Sequence, residues 1–377
     1  PHGPKGPQGR ARARRRKRSM WRLAPVPVPA LALLLLLLLH LDAVDSSDGF
    51  EGLDSLAEAC SAFDAHAPRV VIGCWQILER HADEEEAVRT LSAYAAAGFT
   101  TFDTADIYGR SEAVLGKLRS AGVEPVVHTK FVTGEEGEGA ARAVNERSRR
   151  ALGGVPELVA FHWWDNEDPR FVQAAHHLTT LRDEGKLGQV AACNFDLPHL
   201  KAMVAAGVPV VSNQVQYSLL DRRPENGMVA YARKHGIRLA TFGVVAGGLL
   251  SDTWLEKPAP SREQLSTVSQ RMYFSPLNRW TGGDWGLFQK LLRTLRGLAD
   301  KHGNTSVANV ASAWVLRQLG ADGGWVILGV RDTKHLAEHS ALLGVELDDE
   351  DEAAIRAVLA EGHPPKGCIW SHERGLA

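Results

Sequence analysis

The sequence predicts an α/β protein that folds as a closed (β/α)8 barrel, the TIM barrel, with a long loop after strand seven and helices at its C-terminal end. Eight short apolar segments recur along the chain, and amphipathic stretches of helical periodicity separate most of them. Strands that alternate with helices pair in parallel through right-handed crossovers. The repeat occupies roughly 260 residues, and about 250 residues is typical of such a barrel.

The predicted strands are short apolar runs bounded by polar or turn residues. In chain order they read RVVIG, FTTFD, PVVHTK, ELVAFH, GQVAACN, PVVSNQ, IRLATFG and WVILG. The predicted helices between them include residues 84–97, 139–152, 170–184 and 229–235. A doubly wound open sheet is the alternative. The count of eight strands and the absence of G-x-G-x-x-G after the first strand disfavour it.

One interval departs from this alternation. After LATFG the sequence contains an irregular stretch, residues 251–285, followed by two predicted helices, Gly286–Lys301 and Ser306–Leu319. A long segment without secondary structure inside a compact domain is usually a functional loop. We therefore expect residues 251–285 to lie over the active site.

Composition limits the class of partner. The chain has 377 residues, 44% hydrophobic and 23% charged, with a formal net charge of −2. This balance is that of a globular protein, and we expect no nucleic-acid partner, although residues 10–18 form a basic run. The cysteines show no C-x-x-C spacing, so the sequence indicates neither a zinc site nor a disulfide framework.

The N-terminal part of the sequence has the pattern of a targeting segment. Residues 1–44 combine the basic run with a leucine-rich core, Ala30–Leu39, of about signal-peptide length. We predict a cleaved signal and a location in the secretory pathway or an organelle lumen. The alternatives are an uncleaved membrane anchor, a two-part plastid presequence and a cytoplasmic location. Residues 45–68 read as a linker, 69–361 as the barrel and 362–377 as a C-terminal tail.

Polar side chains follow five neighbouring predicted strands, the second to the sixth, where each strand ends. Active sites of (β/α)8 barrels are built at the carboxyl ends of the strands, so these side chains are expected to converge on one pocket. In strand order they are Asp103 with Tyr108 in the next turn, Lys130, His162, Asn194 and Gln214.

The types of these residues indicate proton transfer. A buried carboxylate needs a partner, so we expect Asp103 to pair with Lys130. The ammonium of Lys130 would lower the pKa of Tyr108 from about 10 and make the phenol a general acid. His162 would hydrogen-bond a carbonyl oxygen. These groups supply a proton to a carbonyl, and a bound cofactor must supply the hydride.

From about Arg69 to Leu343 the sequence resembles the aldo-keto reductases. The similarity rests on GCWQ, FDTADIYGRSEAVLG, VVHTK, FHWW, EGKLGQVAACNFD, SNQVQYSLLDRR, GGLLS and LGVRDTKHLAEH, in this order. The resemblance implies that Asp103, Tyr108, Lys130 and His162 are catalytic, with Tyr108 as the proton donor. It also implies NADPH/NADP+ as the cofactor and a small-molecule carbonyl as the substrate.

The resemblance further implies which residues bind these molecules. Asn194 and Gln214 would hold the nicotinamide carboxamide, and Tyr217 would stack on the ring. The pyrophosphate and the adenosine phosphate would contact Gly243, Gly247, Gly248, Leu249, Arg331, His335, Glu338 and His339. The last four are expected at the start of the final barrel helix, and Trp75 and Trp163 would line the substrate pocket. The sequence departs from the family pattern at Cys193, in TFGVVAGG and at His339.

Two functions of different classes fit these residues. The first is NADPH-dependent reduction of aldehydes or ketones to alcohols. The alternative is an NADPH-binding, redox-sensing regulatory subunit with little turnover, because such a subunit can retain the same catalytic residues.

Overall fold

The computed structural model describes residues 69–78, 83–135, 137–165, 167–367 and 369. Within them, eight parallel strands close into a barrel, each paired with its neighbours in the chain and the eighth with the first. The predicted (β/α)8 barrel is confirmed, and the open sheet is excluded. The strands are β1 Val70–Gly73, β2 Thr101–Asp103, β3 Val126–Thr133, β4 Leu158–Trp163, β5 Gln189–Cys193, β6 Val210–Gln216, β7 Arg238–Phe242 and β8 Gly324–Gly329.

Helices follow the strands and surround the barrel. Side-chain caps stabilise the first turns of several of them, as where Asp83 accepts from the Glu85 N–H and Ser306 from the Asn309 N–H. They are α1 Glu84–Ala96, α2 Ser111–Ser120, α3 Glu138–Leu152, α4 Phe171–Asp183, α5 Leu197–Ala205, α6 Met228–Lys234, α7 Val268–Thr281, α8 Trp285–Lys301, α9 Val307–Leu319, α10 Leu336–Ala341 and α11 Asp349–Leu359.

The strand residues are buried on both faces. Val70 and Ile72 belong to the large apolar cluster between strands and helices, whereas Val71 between them packs with Trp325 and Ile327 in a separate small cluster. Successive residues of a strand point to opposite faces, so this alternation separates an inner core from an outer one. The filled interior leaves space for a ligand only at the ends of the barrel.

The barrel closes between the first and last strands. Val70 to Gly73 pair in register with Val326 to Gly329. The guanidinium of Arg69 adds hydrogen bonds to backbone carbonyls of Gly320 and Ala321, 251 and 252 positions later in the chain. Closure therefore brings α1, which follows β1, close to α10, which follows β8.

Residues 251–285 are not irregular as predicted, because they contain the 14-residue helix α7. Thr267 caps this helix by accepting from the Gln270 N–H. Tyr273, Leu277 and Trp280 recur at helical spacing and are buried. Pro276 lies inside the helix and hides it in the sequence, since proline normally interrupts helices.

The predicted presequence and linker, residues 1–68, lie outside the described residues. Among the residues that are described, no helix is long and apolar enough to cross a membrane. The described part of the predicted tail contacts α7, where the His363 N–H donates to the carbonyl of Trp280 at 2.7 Å.

Candidate active site

A cavity of about 760 Å³ opens at the carboxyl ends of the strands. It has the position that the fold predicts for a barrel active site. Part of α7, including Ser269, Met272 and Tyr273, forms one of its walls, so residues 251–285 do contribute to the site as expected. The cavity brings together Asp103, Tyr108, Lys130, His162, Asn194 and Gln214.

Asp103 has two buried partners. Its Oδ1 accepts from Lys130 Nζ at 2.7 Å, which confirms the predicted pair, and its Oδ2 accepts from Gln214 Nε2 at 2.6 Å. Lys130 Nζ also donates to the carbonyl of Thr104 at 2.7 Å. Burial is the largest single effect and disfavours the ammonium, but the charge and hydrogen bond of Asp103 together with Tyr108 and Cys193 outweigh it and raise the pKa of Lys130. Lys130 therefore remains charged at neutral pH.

Tyr108 lies against this pair, with Lys130 Nζ 5.0 Å from the centroid of its ring. The prediction of a lowered pKa is wrong. Burial raises the pKa of Tyr108 to about 12, because it penalises the phenolate more than Lys130 stabilises it. Asp103, which already neutralises Lys130, also raises the pKa. Tyr108 thus keeps its proton across the neutral range.

His162 and Asn194 occupy the next two strand ends. His162 Nε2 lies 3.5 Å from Asn194 Nδ2, and the His162 ring packs 5.1 Å from that of Trp164. Asn194 adopts a positive φ of 62°, and its N–H donates to the carbonyl of Gln214. Its Oδ1 is buried and has no hydrogen-bond partner among the described residues. This acceptor is therefore available to an N–H of a ligand.

Three predicted binding residues lie elsewhere. Tyr217 is fully buried, its hydroxyl donates to Glu225 at 2.9 Å, and it does not line the cavity. Trp163 is also buried and packs 5.8 Å from Phe161, because the alternation along β4 turns it toward the helices. Leu249 is buried in the outer core. Tyr217, Trp163 and Leu249 therefore present no surface to the cavity, in contrast to what the resemblance implied.

Phe242 is the aromatic residue that the sequence interpretation missed. It is the last residue of β7, and it lines the cavity. The rule that located the polar residues at the ends of the other strands applies equally to an apolar residue. Phe242 thus adds an aromatic side chain to the lining of the cavity.

The glycines after β7 have different local environments. Gly243 and Gly247 have φ of 70° and 65°, and a Cβ on either would come within 2.7 Å of Tyr273 or the Ser269 backbone. They permit α7 to pack closely. Gly248 has φ of 87°, and a Cβ there would meet nothing within 4 Å. Of these three cavity-lining residues, Gly248 is the one that leaves room at its surface.

A second polar group lines the cavity after β8. His335 Nδ1 and Glu338 Oε2 are 2.6 Å apart, and this hydrogen bond holds the pKa of Glu338 below its usual value. Burial lowers the pKa of His339 to about 4. Arg331 lines the same cavity but does not lie at the start of a helix as predicted, because α10 begins at Leu336 and has six residues.

The sequence matches the model of the Aldo/keto reductase family over residues 69–360. The chain belongs to this family. It is 26% identical over 317 residues to the aldo-keto reductase YhdN of Bacillus subtilis, covering 78% of this chain and 90% of the relative. It is 32% identical over 182 residues to flagellar radial spoke protein 5 of Chlamydomonas reinhardtii, covering 43% of this chain and 34% of that protein.

Solved structures have the same fold as this aldo/keto reductase. The glycerol dehydrogenase AKR11B4 of Gluconobacter oxydans superposes with a TM-score of 0.70 at 23% identity, covering 81% of this chain and 95% of that one. An aldo/keto reductase from Klebsiella pneumoniae, solved with NADP and acetate, gives a TM-score of 0.62 at 23% identity and covers 80% and 93%. Similarity at this level supports the fold.

The mouth of the cavity in this aldo/keto reductase is apolar. Trp75, a predicted substrate residue, lines it and is 43% exposed. Ile107 and Met272 line it too, at 54% and 43% exposure, and neither was identified from the sequence. Exposed apolar side chains around a cavity are typical of ligand-binding surfaces.

Proposed function

We propose that this protein reduces aldehydes or ketones to alcohols with NADPH, and that Tyr108 donates the proton. The observation that carries the proposal is the buried Asp103–Lys130 pair beside the Tyr108 ring in the cavity. Relatives are named methylglyoxal reductase, as in Escherichia coli O157:H7 at 25% identity, and a solved neighbour contains NADP. Both support carbonyl reduction with a nicotinamide cofactor.

The residues around the cavity fit such a cofactor, which supplies the hydride when bound. The unpartnered Oδ1 of Asn194 is a hydrogen-bond acceptor suited to the carboxamide. Gln214 lies on the next strand and would hold the same group. Phe242 takes the place that we expected for Tyr217 as the surface for the nicotinamide ring. Gly248 leaves space for the pyrophosphate, and residues 331–339 line the part of the cavity assigned to the adenosine phosphate.

The remaining groups hold and move the proton. Tyr108 carries it at Oη, and a carbonyl oxygen accepts it as the reduction proceeds. The ammonium of Lys130 then stabilises the phenolate that is left, because an adjacent positive charge favours the ionised form. Asp103 keeps Lys130 charged and in place. His162 orients the carbonyl by donating to its oxygen.

The preference for NADPH over NADH would depend on the 2′-phosphate of the adenosine. Arg331 lines the cavity, and a guanidinium can form two hydrogen bonds with a phosphate. Arg331→Ala should weaken NADPH binding roughly 10- to 100-fold and leave NADH binding nearly unchanged. An equal loss for the two cofactors, measured by fluorescence titration, would contradict this assignment.

Turnover of a panel of aldehydes and ketones by the wild-type chain and Tyr108→Phe tests the proposal. The variant keeps the ring and deletes the hydroxyl, so its reduction rate should fall about 10²- to 10⁴-fold while NADPH binding is retained. A rate within twofold of wild type in single-turnover experiments would exclude Tyr108 as the acid. If the wild-type chain binds NADPH but reduces nothing in the panel, the regulatory-subunit function is favoured.

A further inference from the structure

A tyrosine outside the assigned catalytic group contacts the cavity wall. Tyr94 lies on α1, which follows the first strand, and His339 lies on α10, which follows the last. Closure of the barrel makes these helices neighbours. The hydroxyl of Tyr94 is 3.2 Å from Nδ1 of His339, and the two rings are 5.8 Å apart. Tyr94 is fully buried, whereas His339 lines the cavity.

The direction of this hydrogen bond follows from the burial of Tyr94. A phenol oxygen can donate or accept, but a buried hydroxyl proton without an acceptor is unfavourable. Burial, followed by the charges of Asp332 and Glu338, raises the pKa of Tyr94, so this side chain keeps its proton. Nδ1 of His339 is the acceptor that the structure gives it. Tyr94 therefore donates, and Nδ1 accepts.

Because Nδ1 of His339 accepts a hydrogen bond, the protonation state of the other ring nitrogen, Nε2, is also determined. Burial lowers the pKa of this side chain to about 4, so the ring is neutral near pH 7. A neutral imidazole carries one proton, which must then lie on Nε2. The ring of His335 stacks on that of His339 at 5.9 Å and 21°, which restricts its rotation. His335 is itself held by Glu338.

We propose that Tyr94 is a positioning residue that fixes His339 as the Nε2–H tautomer, which donates one hydrogen bond to the adenosine half of the cofactor. This inference rests on the proposed function, since that function assigns this part of the cavity to NADPH. The acceptor on the ligand is either a nitrogen of the adenine ring or an oxygen of the 2′-phosphate. Both can accept the same N–H, and the binding experiments below distinguish them.

The tautomer can be measured directly in the free protein. Nitrogen-15 NMR of histidine-labelled protein separates a protonated from an unprotonated ring nitrogen. The wild-type chain should show His339 protonated at Nε2, and Tyr94→Phe should show a mixture of tautomers. Tyr231→Phe is the matched control, because Tyr231 is a half-buried tyrosine that does not line the cavity. A wild-type spectrum with the proton at Nδ1 would overturn the inference.

Binding then tests the consequence for the cofactor. Tyr94→Phe should weaken the binding of NADPH and of 2′,5′-ADP about three- to tenfold. Reduced nicotinamide mononucleotide lacks adenosine and should bind with unchanged affinity. A similar loss for NADH would assign the contact to the adenine, and a loss confined to the two 2′-phosphate ligands would assign it to the phosphate. Unchanged affinities, or an equal loss for the mononucleotide, would refute the inference.

A second variant covers the case in which Tyr94→Phe unfolds. His339→Phe keeps a ring at a partly exposed position and removes the N–H, so it should weaken the binding of NADPH and 2′,5′-ADP at least as much as Tyr94→Phe. The double variant should lose no more than His339→Phe alone, because the two residues act through one hydrogen bond. Additive losses would contradict the inference. Failure of the wild-type chain to bind NADPH would instead refute the proposed function and leave the tautomer measurement valid.

Discussion

Gln214 donates a hydrogen bond from Nε2 to Oδ2 of Asp103 at 2.6 Å, although 111 positions separate the two residues in the chain. The bond joins the ends of β6 and β2. The other oxygen of Asp103 accepts from Lys130. The carboxylate of Asp103 therefore holds both Lys130, which is assigned to proton transfer, and Gln214, which is assigned to cofactor binding. Under the proposed function, this shared carboxylate would couple the position of the cofactor amide to the charge that supports Tyr108.

Asp103→Asn should impair both stability and catalysis. Removing one member of a buried ion pair costs about 3–5 kcal/mol, because the remaining charge is left uncompensated. Without Asp103, burial lowers the pKa of Lys130 and weakens its support of Tyr108. Urea denaturation and steady-state kinetics measure the two effects. Glu138→Gln, which breaks an exposed pair with Arg142, is the control and should cost less than about 1 kcal/mol.

The rate of reduction should not fall with rising pH in the range where an ordinary tyrosine loses its proton. A general acid must be protonated, and the free phenol would lose its proton near pH 10. Because burial raises the pKa of Tyr108 to about 12, its protonated fraction is essentially complete up to about pH 10. The value of kcat/KM should therefore not fall with deprotonation of Tyr108 between about pH 7 and 10. A basic limb near pH 8–9 that follows the ionisation of Tyr108 would contradict the raised pKa.

Substitution of Phe242 should affect mainly cofactor binding, whereas substitution of Tyr217 should affect mainly stability. Phe242→Ala removes an aromatic surface from the cavity and should weaken NADPH about 10-fold or more with little loss of stability. Tyr217→Phe removes a hydrogen bond to the carboxylate of Glu225 and should cost about 1.5–3 kcal/mol of stability with cofactor affinity unchanged. Cofactor titration and thermal unfolding of both variants separate the roles. If the Tyr217 variant lost cofactor affinity and the Phe242 variant did not, Tyr217 would be favoured as the residue that stacks on the nicotinamide ring.

Substitution of Gly247 should affect mainly stability, whereas substitution of Gly248 should affect mainly cofactor binding. At Gly247 an alanine is strained at positive φ and collides with the Ser269 backbone, so Gly247→Ala should cost about 2–4 kcal/mol. Gly248→Ala has open space and should cost about 1–2 kcal/mol. Because Gly248 lines the cavity and has open space at its Cβ position, the added methyl should weaken the binding of NADPH more than its effect on stability suggests. Urea denaturation and fluorescence titration check both.

The barrel and its strand ends could be predicted because they depend on local pattern. Alternating apolar runs and helices specify the topology, and one rule about strand ends located Asp103, Lys130, His162, Asn194 and Gln214. The same rule would have located Phe242 had it been applied to apolar residues. Trp163 came from the resemblance and not from this rule, and it is buried because alternation along β4 turns its side chain toward the helices.

Other features of the site depend on packing and contacts in the folded chain, which no local sequence pattern reveals. The pKa of Tyr108 is a balance between burial and the nearby charge, and only the folded geometry shows that burial is larger. Pro276 concealed α7 because the packing of its buried face outweighs the local penalty of a proline. The contact between Tyr94 and His339 exists because the chain closes on itself, so it has no signature near either residue.

Closure of the barrel also constrains how the chain can acquire its fold during synthesis. β1 is made first, but one of its two partners, β8, ends at Gly329 and leaves the ribosome last among the strands. Until then the backbone hydrogen-bonding groups along that edge of β1 are open, a state prone to pairing with other chains. Contacts this far apart in sequence also form slowly. A chain truncated before Gly324 should therefore aggregate, and under the proposed function one that lacks α10 should not bind NADPH, so cofactor binding would report that translation has passed α10.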